Sequence, residues 1–255
     1  MTWDSLIEIL AHQSRNIDME LGSHMVLLVQ PCPDNRAAPR TTIVTNTVGQ
    51  LLWERDSVEK WRNHHKLFLT LLRESSAQGF CGSVYEPAFH ALCVGGTEFD
   101  MYRMTRQRGG RVNFTFKDDR PGSKDGSITL KLDGKQERVF FDSDHPITSL
   151  LANHYYQPIV PNYPSYDSFV YDPVSRQISA FQATVADKHD LAPTGVKALR
   201  DLGRSLKIDG LKIRVIVVGF GDNQITYTIE KDLFNSLGLE VYAAWVSDKQ
   251  LYPDS

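Results

Sequence analysis

The chain has 255 residues, of which 41% are hydrophobic and 23% charged, and its formal net charge is −3 at pH 7. This composition is ordinary for a globular protein that buries a core, and it excludes a polycation that binds nucleic acid over its whole surface. Any nucleic-acid surface must therefore be a local patch. The sequence contains no run of about 18 apolar residues, so we expect no membrane-spanning helix and no membrane partner.

The first 25 residues are predicted as a separate segment, a helix that ends in Gly22-Ser23-His24-Met25. These four residues match the scar of a common cloning site, but they also fit a natural transition from helix to strand, and both interpretations are open. The segment lacks the basic and apolar regions of a secretory signal. Residues 26 to 255 are predicted as a single α/β domain. The three cysteines form no CxxC pair, which favours a reducing compartment.

The first predicted elements of this domain are two strands followed by two helices. Apolar runs at Val26–Gln30 and Thr41–Thr45 predict two strands. Apolar residues at helical spacing predict one helix from about Val48 to Arg73 and a second from about Ser83 to Cys93, which ends at Gly95-Gly96.

Beyond Gly96 the apolar period changes to two, which predicts a meander punctuated by glycine-containing turns. Its strands are Phe99–Met104, Val112–Phe116, Ile128–Leu130 and Val139–Phe141. A segment rich in Pro and Tyr follows from Tyr155 to Tyr166. The remaining predicted elements are the strands Ser168–Tyr171 and Ile178–Val185, a helix Thr194–Leu206, an apolar strand Leu211–Val218, the strand Ile225–Ile229, a short helix around Phe234 and the strand Leu239–Val246. This order predicts an α/β fold.

A polar constellation lies on the predicted strand pair. Gln182 and Thr184 are two residues apart and face the same side of a strand, and a hairpin would bring Asp167 to that surface. A carboxylate and an amide oxygen can ligate Mg²⁺, which can polarise a phosphodiester and activate water. The alternative is that Asp167 caps a strand beside a solvent-exposed polar pair, and the spacing alone favours this simpler interpretation.

Glu86 and His90 form a second candidate group. Glu86-Pro87 fits the first turn of a helix, where a carboxylate meets the helix dipole and proline is tolerated. His90 lies one turn further on, so it is either a partner of Glu86 or a core histidine.

Two basic surfaces are predicted. Between Met101 and Lys117 there is no acidic residue, and a helix further on carries basic residues on one face. Both surfaces could contact phosphates, and a solvated face is the alternative for each, which the pattern favours less for the first surface than for the helix. Their basic members are Arg103, Arg106, Arg108, Arg111 and Lys117 in the first, and Lys197, Arg200 and Arg204 in the second.

Five short motifs follow one another along the chain: Tyr85-Glu86, Gly95-Gly96-Thr97, Asp167-Ser168-Phe169, Phe181-Gln182-Ala183-Thr184 and His189. In this order they resemble the C-terminal domain of fungal Crinkler and retrotransposon-hot-spot proteins, within the PD-(D/E)XK, restriction-endonuclease-like superfamily. The resemblance covers about residues 26–246.

The resemblance implies a restriction-endonuclease-like core, a mixed central sheet flanked by helices, with an N-terminal extension of helix and strand. It implies a DNA-directed nuclease of an effector or mobile-element-linked protein, downstream of an ATPase domain. The implied location is the nucleus, reached by an effector after delivery into a host cell. Glu86, Asp167 and Gln182 match the metal-proximal positions, where Mg²⁺ or Mn²⁺ is the implied cofactor.

The chain departs from the superfamily pattern at two positions. Gln182 stands where Glu or Asp is usual, which weakens metal binding, and Thr184 stands where Lys is usual, which removes a cation that stabilises phosphate charge. Lys188 or Lys197 could substitute for that lysine, and His189 could carry a proton. Two functions therefore remain open: a metal-dependent nuclease with reduced activity, and a catalytically inactive module that binds nucleic acid or protein.

Overall fold

The computed structural model describes residues 27–31, 39–43, 65–66, 68–69, 72, 78–107, 113–117, 126–160, 163–222 and 224–253. Two compact units divide the chain, one comprising Met1–Ala88 with Asp248–Ser255 and the other Phe89–Ser247. The predicted boundary after residue 25 and the predicted single domain stay predictions.

In chain order the described elements are β1 (Leu27–Pro31), β2 (Pro39–Ile43), α1 (Gln78–Gly95), β3 (Thr97–Arg103), β4 (Thr105–Gln107), β5 (Asn113–Lys117), β6 (Ile128–Leu132), β7 (Glu137–Phe141), β8 (His154–Pro158), β9 (Ser168–Asp172), β10 (Gln177–Ala183), β11 (Lys188–Asp190), α2 (Pro193–Ser205), β12 (Lys212–Phe220), β13 (Thr226–Glu230), α3 (Lys231–Leu237), β14 (Glu240–Val246) and α4 (Asp248–Leu251). In the first unit, β1 and β2 form an antiparallel pair.

The second unit is built on a mixed sheet of eight strands in the order β6-β3-β14-β12-β10-β9-β8-β7. At its centre β10, β12 and β14 run parallel, and β9 runs antiparallel to both β10 and β8. Parallel neighbours need a crossover connection. The chain passes through α2 between β10 and β12, and through α3 between β12 and β14. The predicted α/β class is confirmed.

The central strand β12 shows why this sequence forms a sheet covered on both faces. Six consecutive residues from Val215 to Phe220 are buried, which is the near-continuous apolar pattern of a parallel strand between two packed layers. On one face Phe169 and Ala180 form a core cluster with Val196 and Leu199 of α2. The opposite face is packed by aromatic rings, Phe181 lying against Phe89 and Phe99.

A smaller sheet of four strands, in the order β11-β13-β5-β4, extends this core. Its strand β11 follows β10 and its strand β13 follows β12. Ile225, Tyr227 and Ile229 belong to the same buried cluster as Val217 and Ala243 of the large sheet. The small sheet therefore packs against the core face that carries α2.

Helix α2 confirms the predicted helix, with Pro193 in its first turn and a solvent face opposite Val196 and Leu199. This first turn lies very close to the chain that leads into β9. A Cβ on Gly195 would lie 1.8 Å from the carbonyl oxygen of Pro164. Only glycine allows this approach, which fixes the segment just before Asp167 against the helix.

Several sequence-based boundaries need correction. Helix α1 begins at Gln78, so Pro87 lies inside it and Glu86-Pro87 is not the first turn. The prediction placed too much weight on proline as a helix starter, because buried neighbours on the following turns sustain the helix despite the missing N–H. The predicted stop is confirmed, since Gly96 adopts φ +92° directly after the helix. The segment from Tyr155 to Tyr166 contains β8, which alternation alone did not indicate.

Candidate functional site

The antiparallel pair β9–β10 brings Asp167 and Gln182 into direct contact. Ser168 pairs with Phe181, and Asp167 precedes this pair while Gln182 follows it. The Gln182 amide nitrogen lies 3.2 Å from Asp167 Oδ1 and 3.1 Å from Oδ2 and donates to the carboxylate. The backbone N–H of Ala183 also donates to Oδ2, at 2.7 Å. The sequence-based expectation that these two side chains share one surface is confirmed.

These contacts determine the charge state that the pair favours. Both oxygens of a carboxyl group can accept hydrogen bonds, and the ionised form accepts them more strongly than the protonated form. Donors from Gln182 and Ala183 converge on Asp167, so they stabilise its charged form. Both side chains are half-buried. The arrangement is a carboxylate that is held in place and remains within reach of solvent.

Thr184 does not join this contact. Strand β10 ends at Ala183, and Thr184 is 4% exposed. Its hydroxyl accepts a hydrogen bond of 2.9 Å from the backbone N–H of Ala186. The Thr184 hydroxyl therefore stabilises the turn that follows β10, and this neutral side chain is already hydrogen-bonded to the backbone.

Lys188, one proposed substitute for the missing lysine, and His189, the proposed proton carrier, lie side by side on β11 and differ in their surroundings. Lys188 is exposed, whereas His189 is half-buried. Neighbours along a strand point to opposite sides, so only one of them can face the core. Burial lowers the pKa of His189, and the nearby carboxylate of Asp190 partly offsets this. His189 is therefore a neutral imidazole at neutral pH, able to accept a proton.

Sequence reasoning missed Tyr227, on β13. It is completely buried, and the described residues offer its hydroxyl no hydrogen-bond partner. Its pKa is raised by burial first and then by the negative charges of Asp167 and Asp190. The alternation Ile225–Ile229 predicted the strand, but nothing in the sequence marks this hydroxyl as unpaired.

The surroundings of His90 support its interpretation as a core histidine. It is 2% exposed, and its Nδ1 lies 2.7 Å from the hydroxyl of Tyr155. That hydroxyl also lies 2.6 Å from Ser168 Oγ, so three buried polar groups satisfy one another. Glu86 is half-buried on α1 and belongs to the first compact unit. Its place beside Asp167 stays a prediction.

Some of the basic residues predicted to form the two basic surfaces are exposed, and others are not. Arg103, Arg106 and Lys197 are exposed. Arg204 is also exposed, but its Nη1 lies 3.2 Å from Asp201 Oδ1, so an acidic residue interrupts the basic face of α2. Arg200 is half-buried, and its Nε has no hydrogen-bond partner among the described residues. Arg108 and Arg111 lie outside the described residues.

The residues at the β9–β10 contact fit a magnesium ion in ligand type. A carboxylate and an amide are the oxygen donors that Mg²⁺ prefers, and this ion commonly binds one or two carboxylates and keeps several waters. Within the described ranges, no group of three or more His, Cys, Asp or Glu side chains lies close enough together to hold a metal.

No family model, no curated protein and no solved structure matches this chain. Among the helices that the structure describes, none is long and apolar enough to cross a membrane.

Proposed function

We propose that the chain is a DNA-directed, Mg²⁺-dependent nuclease-like domain of reduced activity, built on a restriction-endonuclease-like core. The observation that carries this proposal is the contact between Asp167 and Gln182 across β9 and β10. Their positions match the metal-proximal residues that the resemblance implies.

The order of elements supports the same proposal. A strand that begins after the Asp, an antiparallel strand with the Gln, a helix and a parallel strand follow one another as β9, β10, α2 and β12. This is the order that the resemblance implies for the catalytic half of the superfamily core. The mixed sheet has helices in its crossovers, and α2 packs on the face that carries Asp167.

Asp167 and Gln182 are the residues that would hold the ion, which when bound polarises a phosphodiester and lowers the pKa of a bound water. Asp167 supplies the negative charge. The Gln182 amide presents its nitrogen to Asp167, and its oxygen would be the ligand if the amide rotated by about 180°. Without a cation the nitrogen orientation is favoured, because an oxygen there would repel the carboxylate.

We expect reduced nuclease activity because the site lacks the positive charge of the usual lysine. Thr184 is neutral, buried and bonded to the turn. It cannot supply the positive charge that stabilises an attacked phosphate, and loss of one such interaction lowers a rate by about 10²–10³-fold. Between Lys188 and His189, His189 is better suited to act as a base, because burial lowers the pKa of its imidazole.

Cleavage of a supercoiled plasmid in Mg²⁺ and in Mn²⁺ tests the proposal. We expect slow, metal-dependent nicking by the parent and none by Asp167→Asn, which keeps an oxygen for the Ala183 N–H but removes the charge. The matched control is Asp144→Asn, an exposed carboxylate on a loop, which should cut as the parent does. Cleavage that persists in Asp167→Asn contradicts the proposed site.

The burial of Thr184 favours a second candidate, a catalytically inactive module that binds DNA with the same surface. In this case the parent binds a DNA duplex in EDTA and cuts in neither metal. The salt dependence then reports phosphate contacts, and each one removed lowers the slope of log K against log salt by about 1. Lys197→Ala and Arg106→Ala should each show this change. Arg204→Ala should show less, because Asp201 already pairs with Arg204.

A further inference from the structure

The strand β7 forms one edge of the eight-stranded sheet, and among the described strands it pairs only with β8. The pairing is parallel, and its hydrogen bonds show which residues of β7 take part in it. The N–H of Glu137 donates to the carbonyl of Asn153, and the carbonyl of Phe141 accepts from the N–H of Ile159. Backbone groups alternate in direction along a strand, so Glu137, Val139 and Phe141 direct theirs toward β8.

The two residues between them, Arg138 and Phe140, direct their backbone N–H and C=O groups toward the other side, where none of the described strands pairs with them. Both ends of this open edge are already hydrogen-bonded. The N–H of Gln136, just before the strand, donates to a carbonyl of α1 at 2.8 Å, and the N–H of Asp142, just after it, donates to a carbonyl of the next loop at 3.3 Å. The open edge therefore offers the N–H and C=O groups of Arg138 and Phe140.

The side chains of β7 do not protect this edge. Edge strands are commonly blocked by lysine or proline, and β7 contains neither. Phe140 is 43% exposed, and the Arg138 guanidinium carbon lies 5.8 Å from the centre of its ring. The opposite edge of the sheet is different, because β6 carries Lys131, whose ammonium lies 3.1 Å from the carboxylate of Asp133. Of the two edges of this sheet, β7 is the one suited to pairing with another strand.

We propose that β7 pairs antiparallel with β7 of a second copy of this chain, about a two-fold axis at Val139. In this register Arg138 of each copy lies opposite Phe140 of the other, and each such pair exchanges two backbone hydrogen bonds. All the open groups of both edges are then satisfied. Each guanidinium also lies beside an aromatic ring of the other copy, a contact of the kind that Arg138 already makes within its own chain. This inference does not depend on the proposed function.

The neighbouring registers fit less well. An axis at Arg138 places two guanidinium groups opposite each other and requires the N–H of Gln136, which is bonded to α1. An axis at Phe140 requires the N–H of Asp142, which is bonded to the loop. Only the axis at Val139 uses the open groups alone. The edge is thus complementary to itself, which favours a second copy over an unrelated extended peptide.

Sedimentation velocity over a range of protein concentrations measures the equilibrium between monomer and dimer. We expect the parent to dimerise reversibly. Phe140→Lys should raise the dissociation constant at least about 10-fold, because each new lysine lies opposite Arg138 of the other copy. The matched control is Ile128→Lys, which adds the same charge on the opposite edge at a residue that is 48% exposed, and it should dimerise as the parent does. A parent that stays monomeric at every concentration overturns the proposal, and so does an equal effect of the two lysines.

Cysteine substitutions test the register. The Cα atoms of a non-hydrogen-bonded antiparallel pair are about 4.5 Å apart, within the range of a disulfide. Val139→Cys should therefore form a covalent dimer under a mild thiol oxidant. Phe140→Cys should not, because its two copies are offset by two residues, which places their Cα atoms about 8–9 Å apart. The parent under the same oxidant gives the background from its own cysteines. Val139→Cys that crosslinks no more than the parent, or less than Phe140→Cys, overturns the proposed pairing.

Discussion

Replacing Gln182 by glutamate places a second carboxylate beside Asp167. In the parent the amide nitrogen lies 3.2 Å and 3.1 Å from the two carboxylate oxygens and donates to them. Glutamate removes this donor and brings two negative charges to about the same separation. Their repulsion is about 1 kcal/mol in water and about 5 kcal/mol at an effective dielectric constant of about 20. Without metal, we expect the free energy of unfolding at neutral pH to fall by about 1–5 kcal/mol.

The loss should depend on pH in a defined direction. Adjacent carboxylates share a proton, so the pKa of one of them rises in the folded state above the value of about 4.3 for unfolded glutamate. Between these two pKa values the folded chain binds a proton that the unfolded chain does not, and stability decreases as pH rises. The destabilisation of Gln182→Glu is therefore largest above the raised folded pKa and diminishes as pH falls toward about 4.3.

Urea unfolding with and without Mg²⁺ measures both effects, and Gln107→Glu, an exposed position on β4, controls for the added charge. Mg²⁺ at 100 times its dissociation constant should stabilise Gln182→Glu by about 2.7 kcal/mol relative to the ion-free variant, and the same Mg²⁺ concentration should stabilise the parent less. Stability equal to the parent at neutral pH in EDTA would refute the contact with Asp167. A destabilised variant that Mg²⁺ does not rescue would refute the metal site.

Three further changes test the surroundings of the site. Tyr155→Phe should lower the free energy of unfolding in urea by about 2–4 kcal/mol, because the buried hydrogen bonds of its hydroxyl with His90 and Ser168 are lost; an unchanged midpoint would contradict that network. Gly195→Ala should lower the free energy of unfolding by about 2 kcal/mol or more, because the new Cβ clashes with the backbone of Pro164. The control Gly82→Ala, whose Cβ meets nothing within 4 Å, should raise the free energy of unfolding by about 0.5–1 kcal/mol. Equal effects of the two substitutions would disprove the close approach at α2. Burial lowers the pKa of His189 in the folded chain, so as pH falls the imidazole of the unfolded chain is protonated at a higher pH than that of the folded chain. The free energy of unfolding should therefore fall as pH drops below about 6.5. His189→Gln should weaken this pH dependence, and an unchanged profile would contradict the burial of the imidazole.

The strand pair at the site could be predicted because its pattern is local. Two short apolar runs that follow one another closely are consistent with a hairpin, and the period of two then places Asp167 and Gln182 on one face. The structure confirms both steps. The orientation of the Gln182 amide could not be predicted, since it depends on the charge that the amide meets across the pair.

Other features depend on contacts between distant segments. The strand β8 lies in a stretch rich in Pro and Tyr whose residues are buried on successive positions, so no alternation marks it. Thr184 lies two residues after Gln182, but the strand ends between them and the side chain turns to the backbone of Ala186. Tyr227 becomes notable only because the small sheet that carries it packs against the core of the large sheet. The alternation of apolar residues along a strand predicts which face is buried, but it does not predict the hydrogen-bond partners of a buried polar atom.

The most direct test of the central claim is a titration of Mn²⁺ into the parent and into Asp167→Asn, with the unbound ion followed by electron paramagnetic resonance. The β9–β10 contact predicts saturable binding by the parent that weakens by at least about 10-fold when the Asp167 charge is removed, while Asp144→Asn binds as the parent does. Mn²⁺ binding of equal affinity in the parent and in Asp167→Asn would contradict the claim that this carboxylate is the centre of a metal site.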